Sequence, residues 1–330
     1  MERTRLPLLL AVGLPVYSIA SATVTIDTVF VGDADNAEDA TGYGRVSYNY
    51  RIGTYEVTNS QYTAFLNSTA ATDPFSLYHT DMGSNEHGGI TRAGSSGNYT
   101  YSIKSGFENK PVNYVSFWDA ARFANWLTNG QPVGEQGPGT TEDGMYHLGG
   151  TTDPSIQSVT RQLDFSLGEN GVAVASENEW YKAAYYDGSG GYYLYPAENN
   201  ATPTAVRPED ATGSNNANYD EIVGTLTDVG AYPNSASHYG TFDQGGNVWE
   251  WNDEMKDMSA LVVRGGSLDG ESSHLSSSFR NAVPPTFVNF NLGFRVSSLA
   301  PIPEPSNYGV ILGWIGLMLA LARRRRRGTL

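Results

Sequence analysis

No cysteine occurs anywhere in the 330 residues. Thiol catalysis, thiolate metal centres and disulfide stapling are therefore excluded, and the chain must hold itself together through its core. Histidine is scarce as well: His79, His87, His147, His238 and His274 are scattered along the chain, each reading as a surface loop residue. No GxSxG elbow and no Walker A loop appears, which removes two common routes to hydrolysis and nucleotide binding. Basic residues number 20 against 35 acidic ones.

The charge is sharper once the ends are set aside. Residues 1–22 and 301–330 hold seven of the basic residues and two of the acidic ones, so the body carries 13 against 33, a net of −20. Such a body repels nucleic acid and anionic lipid and suits divalent cations. The first end, MERTRLPLLLAVGLPVYSIASA, has an arginine-bearing start, an apolar stretch and a small-x-small close at Ala20-Ser21-Ala22. It reads as a signal peptide over 1–22. At the other end Pro303-Glu304-Pro305 precedes an apolar run at about 308–322 and five arginines, Arg323 to Arg327. The run is short for a span, and the arginines place its end on the cytoplasmic side. Export at the front and a stop at the back put residues 23–300, one domain, outside the inner membrane.

Within that body, Val24-Ile26-Val29-Val31 alternates as an edge strand does, and Val46-Tyr48-Tyr50-Ile52 continues the style. Thr58 with Gln61, Ser116 before FWDAARFANWLTNG, and Ser176 with Glu179 each announce a helix by its cap, and Gly130 stops the second. The stretches 70–108, 130–160 and 187–240 read as long loops, which a compact domain tolerates only when they are pinned. The 21 tyrosines supply apolar area and a hydroxyl for that purpose. One run stands out, FDQGGNVWEWNDE over 242–254. A glycine pair beside a would-be strand implies that the backbone bends or is closely approached there.

In order along the chain come YRIGTYEVTNSQYTAFLN (50–67), KPVNYVSFWDAARFANWL (110–127), VASENEWYKAAYY (174–186), FDQGGNVWEW (242–251), VVRGGS (262–267) and NLGFRVS (291–297). Over roughly 45–298 this series resembles the formylglycine-generating-enzyme (sulfatase-modifying factor) domain family. The resemblance implies an α+β fold, a loop-rich variant of the C-type-lectin fold in a single domain. The tail resembles a PEP-CTERM sorting signal, which implies an exosortase partner in a Gram-negative bacterium, transient anchoring in the inner membrane and delivery to the cell surface.

The resemblance also implies calcium. Its ligands would be Asp243, the carbonyls of Gly246 and Val248, and the carboxylate of Glu250, oxygen donors that suit a hard cation. A second site would begin at Asn218 and the carbonyl of Tyr219, with Asp220 or Glu221 following. The other reading of Glu250 is an ion pair with Arg264 or Arg295. The family's oxidase activity uses two copper-binding cysteines just after RGGS, where this chain reads LDGESSHLSSSFR (268–280). Serine does not replace a thiolate on copper(I), so copper and formylglycine generation are not expected. A branch that uses iron needs HxxxHxE, which is also missing. Asp253-Glu254 is a carboxylate pair for which the sequence gives no geometry. Two function classes follow. One is a non-catalytic, calcium-stabilised surface protein that binds extracellular polysaccharide or a partner protein; the other is an enzyme of unknown reaction in the family groove. That groove would be formed by Ser267, Asp269 and Arg280 with Trp118 as a wall, unless Arg280 is spent on a structural salt bridge, for instance to Asp269.

Overall fold

The computed structural model describes residues 24–151, 161 and 171–299. The signal-peptide and sorting-tail expectations, Pro303, Glu304 and Pro305 included, lie outside the described residues. Among the described residues, no helix is long and apolar enough to cross a membrane.

All three capped helices form where their caps announced them. α1 (Asn59–Thr69), α3 (Phe117–Thr128) and α4 (Glu177–Tyr185) each begin with a complete capping box, from Thr58, Ser116 and Ser176 respectively. Gly130 follows α3 with φ +78°, a conformation open to glycine at little cost. Between α1 and α3 lie a short helix α2 (Asp81–Ser84) and the hairpin β3 (Ile90–Ala93) to β4 (Thr100–Ile103). These occupy the stretch that reads as a long loop in sequence, because each element is only four residues long.

Two four-stranded sheets organise the rest. In the first, β1 (Thr28–Val31), β2 (Tyr50–Gly53), β12 (Val296–Ser298) and β5 (Val172–Val174) pair antiparallel in that order, so β1 is an edge strand. In the second the order is β10 (Asn281–Val283), β9 (Ala260–Arg264), β8 (Trp249–Asp257) and β11 (Leu292–Phe294), with β11 parallel to β8. The two-residue strands β6 (Thr204–Ala205) and β7 (Asn216–Ala217) pair inside the long 187–240 stretch. The last two strands among the described residues, separated by Arg295 alone, join different sheets. That single residue ties the sheets together.

Apolar burial explains the helix positions. Tyr62 and Phe65 of α1 meet Phe123 and Trp126 of α3, and Phe123 meets Phe294 of β11, with ring centroids 5.3–6.0 Å apart. α4 packs Trp180, Tyr181 and Tyr185 with Val31, Tyr50 and Ile52 of the first sheet. Tyrosine hydroxyls do pin the loops: Tyr101 donates to the Ala70 carbonyl (2.8 Å), Tyr219 to Pro203 (2.6 Å) and Tyr232 to Val206 (2.7 Å). Each such bond satisfies a loop carbonyl that folding takes out of water.

Candidate functional site

The 242–250 run is bent, and the structure shows why. Asp243 (φ +61°), Gly246 (φ +90°) and Asn247 (φ +61°) all adopt left-handed backbone. A Cβ on Gly246 would lie 2.4 Å from the Asn218 carbonyl oxygen, so no other residue fits there. The close approach is used. The Asn247 amide donates to that carbonyl at 2.8 Å and the Gly246 amide to Gly265 at 2.9 Å, stapling the 218 loop and the Arg264-Gly265-Gly266-Ser267 turn to one point. Immediately afterwards the chain straightens into β8.

Glu250, on β8, is fully buried. Its Oε2 accepts from Arg295 Nε (2.6 Å) and from the Trp180 indole (2.8 Å), and its Oε1 accepts from Arg295 Nη2 (2.7 Å). The ion-pair reading of Glu250 thus describes its contacts, with Arg295 as the partner. Arg264, which faces Glu250 across the β8–β9 register, turns instead to Glu177.

Arg295 spends all five of its N–H donors. Beyond Glu250 it reaches the carbonyls of Gly53 (3.0 Å), Thr54 (3.3 Å) and Phe242 (2.9 Å). Two more carboxylates nonetheless belong to this centre. Glu56, 2% exposed, accepts from Asn247 Nδ2 (3.2 Å) on Oε1, while its Oε2 lies 3.9 Å from Arg295 without a hydrogen bond. Asp243 accepts the Gly230 amide at 2.6 Å. Burial first, then the charges of Asp243 and Glu250, push the Glu56 carboxyl well above the usual carboxylate range, with Arg295 opposing. Burial likewise pushes Asp243 up to about 6, with Glu250 adding to the effect and the Gly230 amide and Arg295 working against it. Three carboxylates thus share one guanidinium.

The expected second calcium position has one free donor and one busy one. Asn218 is buried, its Nδ2 donates to the Thr225 carbonyl (3.0 Å), and its Oδ1 has no hydrogen-bond partner. The Tyr219 carbonyl accepts from Ile222 (3.2 Å). Asp220 and Glu221 are exposed, with left-handed backbone at φ +57° and +53°. Among the described residues, no group of three or more His, Cys, Asp or Glu side chains is arranged to hold a metal. A hard cation here would therefore have fewer than three carboxylates and would need backbone and amide oxygens as well. Asp243, the Asn218 amide oxygen and the turn's carbonyls suit one; Glu250, with both oxygens bonded to Arg295, does not offer a free oxygen.

The expected groove is divided. Ser267 Oγ donates to Asp269 (2.7 Å), and Asn291 Nδ2 donates to the same oxygen (2.9 Å), so these two residues do come together. Arg280 is elsewhere. It makes a two-pronged pair with Glu177, Nε at 2.8 Å and Nη2 at 2.8 Å, and not with Asp269. Trp118 is 2% exposed within the core, against Phe117, so it is no groove wall. His274 lies beside Gly266 and Gly270, which flank this pair, and it packs with Trp249 and Phe279 in an aromatic set with centroids 4.5–5.8 Å apart.

Glu177 was not legible as a site residue in sequence. It anchors a second buried ion centre, holding Arg264 (2.6 Å) and Arg280, with the Tyr43 ring 4.8 Å and 5.4 Å from the two guanidinium carbons. Glu56 was missed as well. Each sits beside a helix-capping residue, Glu56 two before Thr58 and Glu177 just after Ser176, and a polar run hides burial from any periodicity argument.

The model of the sulfatase-modifying factor enzyme 1-like (FGE-sulfatase) domain matches residues 22–299, and the chain belongs to that family. The mixed α+β single-domain architecture is the one expected of it. Among solved structures, Treponema denticola variable protein 1 is similar over 87% of this chain and all of its own, at 19% identity and a TM-score of 0.51. CarF (21% identity, 84% of this chain and 99% of its own, TM-score 0.49) and PvdO from Pseudomonas aeruginosa (16%, 84% and 92%, 0.44) are also similar. At such identities the likeness to the Treponema protein speaks to fold alone. No curated protein matches the chain.

Proposed function

We propose that this chain is an exported, non-catalytic member of its family, a calcium-stabilised binding or structural component of the cell surface or extracellular matrix. The observation that carries the reading is the segment after Ser267. Just after RGGS, where the family's oxidases hold two copper-binding cysteines, this chain reads LDGESSHLSSSFR (268–280), and no cysteine occurs anywhere in it. Without a thiolate the segment has no soft ligand for copper(I).

Calcium is proposed at the 243–250 turn on the surplus of carboxylate there. Asp243 and the carbonyls of Gly246 and Val248 supply the oxygens, while Glu250 supports the site through its charge behind Arg295. The Asn218 amide oxygen and Tyr219 carbonyl form the neighbouring position. The signal over 1–22 and the Pro303-Glu304-Pro305 tail route the protein through the inner membrane to an exosortase-type processing enzyme and then to the surface. There it meets polysaccharide or another surface protein. Elemental analysis and thermal melting of the purified protein test the reading together. Calcium should co-purify and chelator should lower the melting temperature. Equal melting with and without chelator removes the calcium, and a co-purifying redox metal points to an enzyme instead.

A further inference from the structure

A small cleft opens between the 196–203 loop, β7 and the 241–245 run, with about 20 Å³ of free interior, room for one or two water-sized groups. Its apolar walls include Pro196, Pro203 and Ala217, and its polar lining includes Asn215 and Asp243. Asn215 is 7% exposed. Its Nδ2 donates to the Ala201 carbonyl at 3.0 Å, which fixes the amide's orientation, and its Oδ1 has no hydrogen-bond partner. A buried acceptor without a donor is costly, so a site that keeps one is arranged for a donor that arrives from outside.

The remaining polar lining narrows the donor's identity. Ser235 Oγ already accepts the Asn216 amide (2.9 Å), Gln244 Nε2 is bound to the Trp180 carbonyl (2.9 Å), and Thr241 bonds Gln244 Oε1. Ser235 keeps its hydroxyl proton, and the acceptors left open are Asn215 Oδ1 and the Asp243 carboxylate beyond its bond from Gly230. Asp243 also carries the edge of the carboxylate surplus that Glu56 and Glu250 make around Arg295. A neutral hydroxyl brings one donor and gains nothing from that charge; an –NH₃⁺ group brings three donors and is attracted by it. The proline and alanine walls suit a methylene stem better than a hydroxylated ring.

We propose that this cleft binds the primary ammonium end of an alkylamine, of the lysine side-chain type, between Asn215 Oδ1 and Asp243. The assignment gives a ligand class to the binding role proposed above and rests on that reading only for its setting. The test is calorimetric titration of the full chain with n-butylammonium, in chelator so that calcium does not compete for Asp243. Saturable binding is expected, with n-butanol and glucosamine at least tenfold weaker. Asn215→Gly keeps the left-handed backbone and removes the acceptor, and it should weaken binding about ten- to hundredfold at unchanged fold. Asn215→Asp adds charge and should tighten it. Equal binding of n-butanol, displacement by an equal concentration of sodium, or unchanged affinity in a folded Asn215→Gly variant overturns the proposal. Should Asn215→Gly fail to fold, unchanged or weaker binding in Asn215→Asp overturns it. Chelator-dependent melting is read separately, so loss of the calcium reading and loss of this one are distinct results.

Discussion

The two buried arginine centres beside β8 and β9 have opposite charge ratios. At Arg295, one guanidinium answers Glu250, Glu56 and Asp243; at Glu177, one carboxylate answers Arg264 and Arg280. The arginine-rich centre completes itself internally, because spare guanidinium donors find carbonyls and aromatic faces. Arg264 reaches the Ser277 (2.9 Å) and Phe279 (2.6 Å) carbonyls and lies over Tyr43 and Tyr181. The carboxylate-rich centre has no such recourse. Arg295 runs out of N–H groups, and Glu56 Oε2 is left without one. An excess of buried acid must take up protons or cations, so the asymmetry separates a finished structural joint from the centre at which the cation is proposed.

The largest break in that contrast is Arg295→Met. It strands Glu250 in the core and removes the guanidinium that ties the Gly53, Thr54 and Phe242 carbonyls together, and a loss of about 3–5 kcal/mol or more is expected in denaturant unfolding. Glu177→Gln comes next. It leaves two arginines without their anion, though the amide oxygen still accepts one bond, and about 3 kcal/mol should be lost.

A third experiment sharpens the comparison through pH. Asp243, held at about 6 in the folded chain, has a carboxyl that ionises near 4 when unfolded. The folded state therefore holds this proton more tightly. The contribution is fully present below pH ~4 and disappears as pH rises through about 6. In calcium-free buffer Asp243→Asn should flatten that fall, by about 1–2 kcal/mol once partial exposure is discounted. An unchanged slope in the variant would assign the pH dependence to other groups, such as Asp119 or Asp253, which burial also raises to about 6. The smallest effect belongs to Arg280→Ala. Its side chain is 21% exposed and Glu177 keeps Arg264, so a loss of about 1 kcal/mol is expected in thermal melting.

Local physics made the helices legible. A capping residue and its partner three positions on are neighbours in sequence, and Thr58, Ser116 and Ser176 named the starts of α1, α3 and α4 unaided. The glycine pair at 245–246 likewise announced a bend, and the strand starts just past it at Trp249. The short elements inside 70–108 and 187–240 escaped, since four- and two-residue strands carry too few alternations to show a period.

What the sequence determined by itself was the family motif order, the missing thiols, the acidic balance and the caps, all properties that need no partner far along the chain. Only the tertiary structure decided which charges meet. Glu250 chose Arg295 over Arg264, Arg280 went to Glu177 and not to Asp269, and Trp118 went into the core, away from any groove. The physical reason is separation. These pairs lie 45 and 103 residues apart, and a buried charge takes whichever counter-charge the packed sheets bring within hydrogen-bond reach.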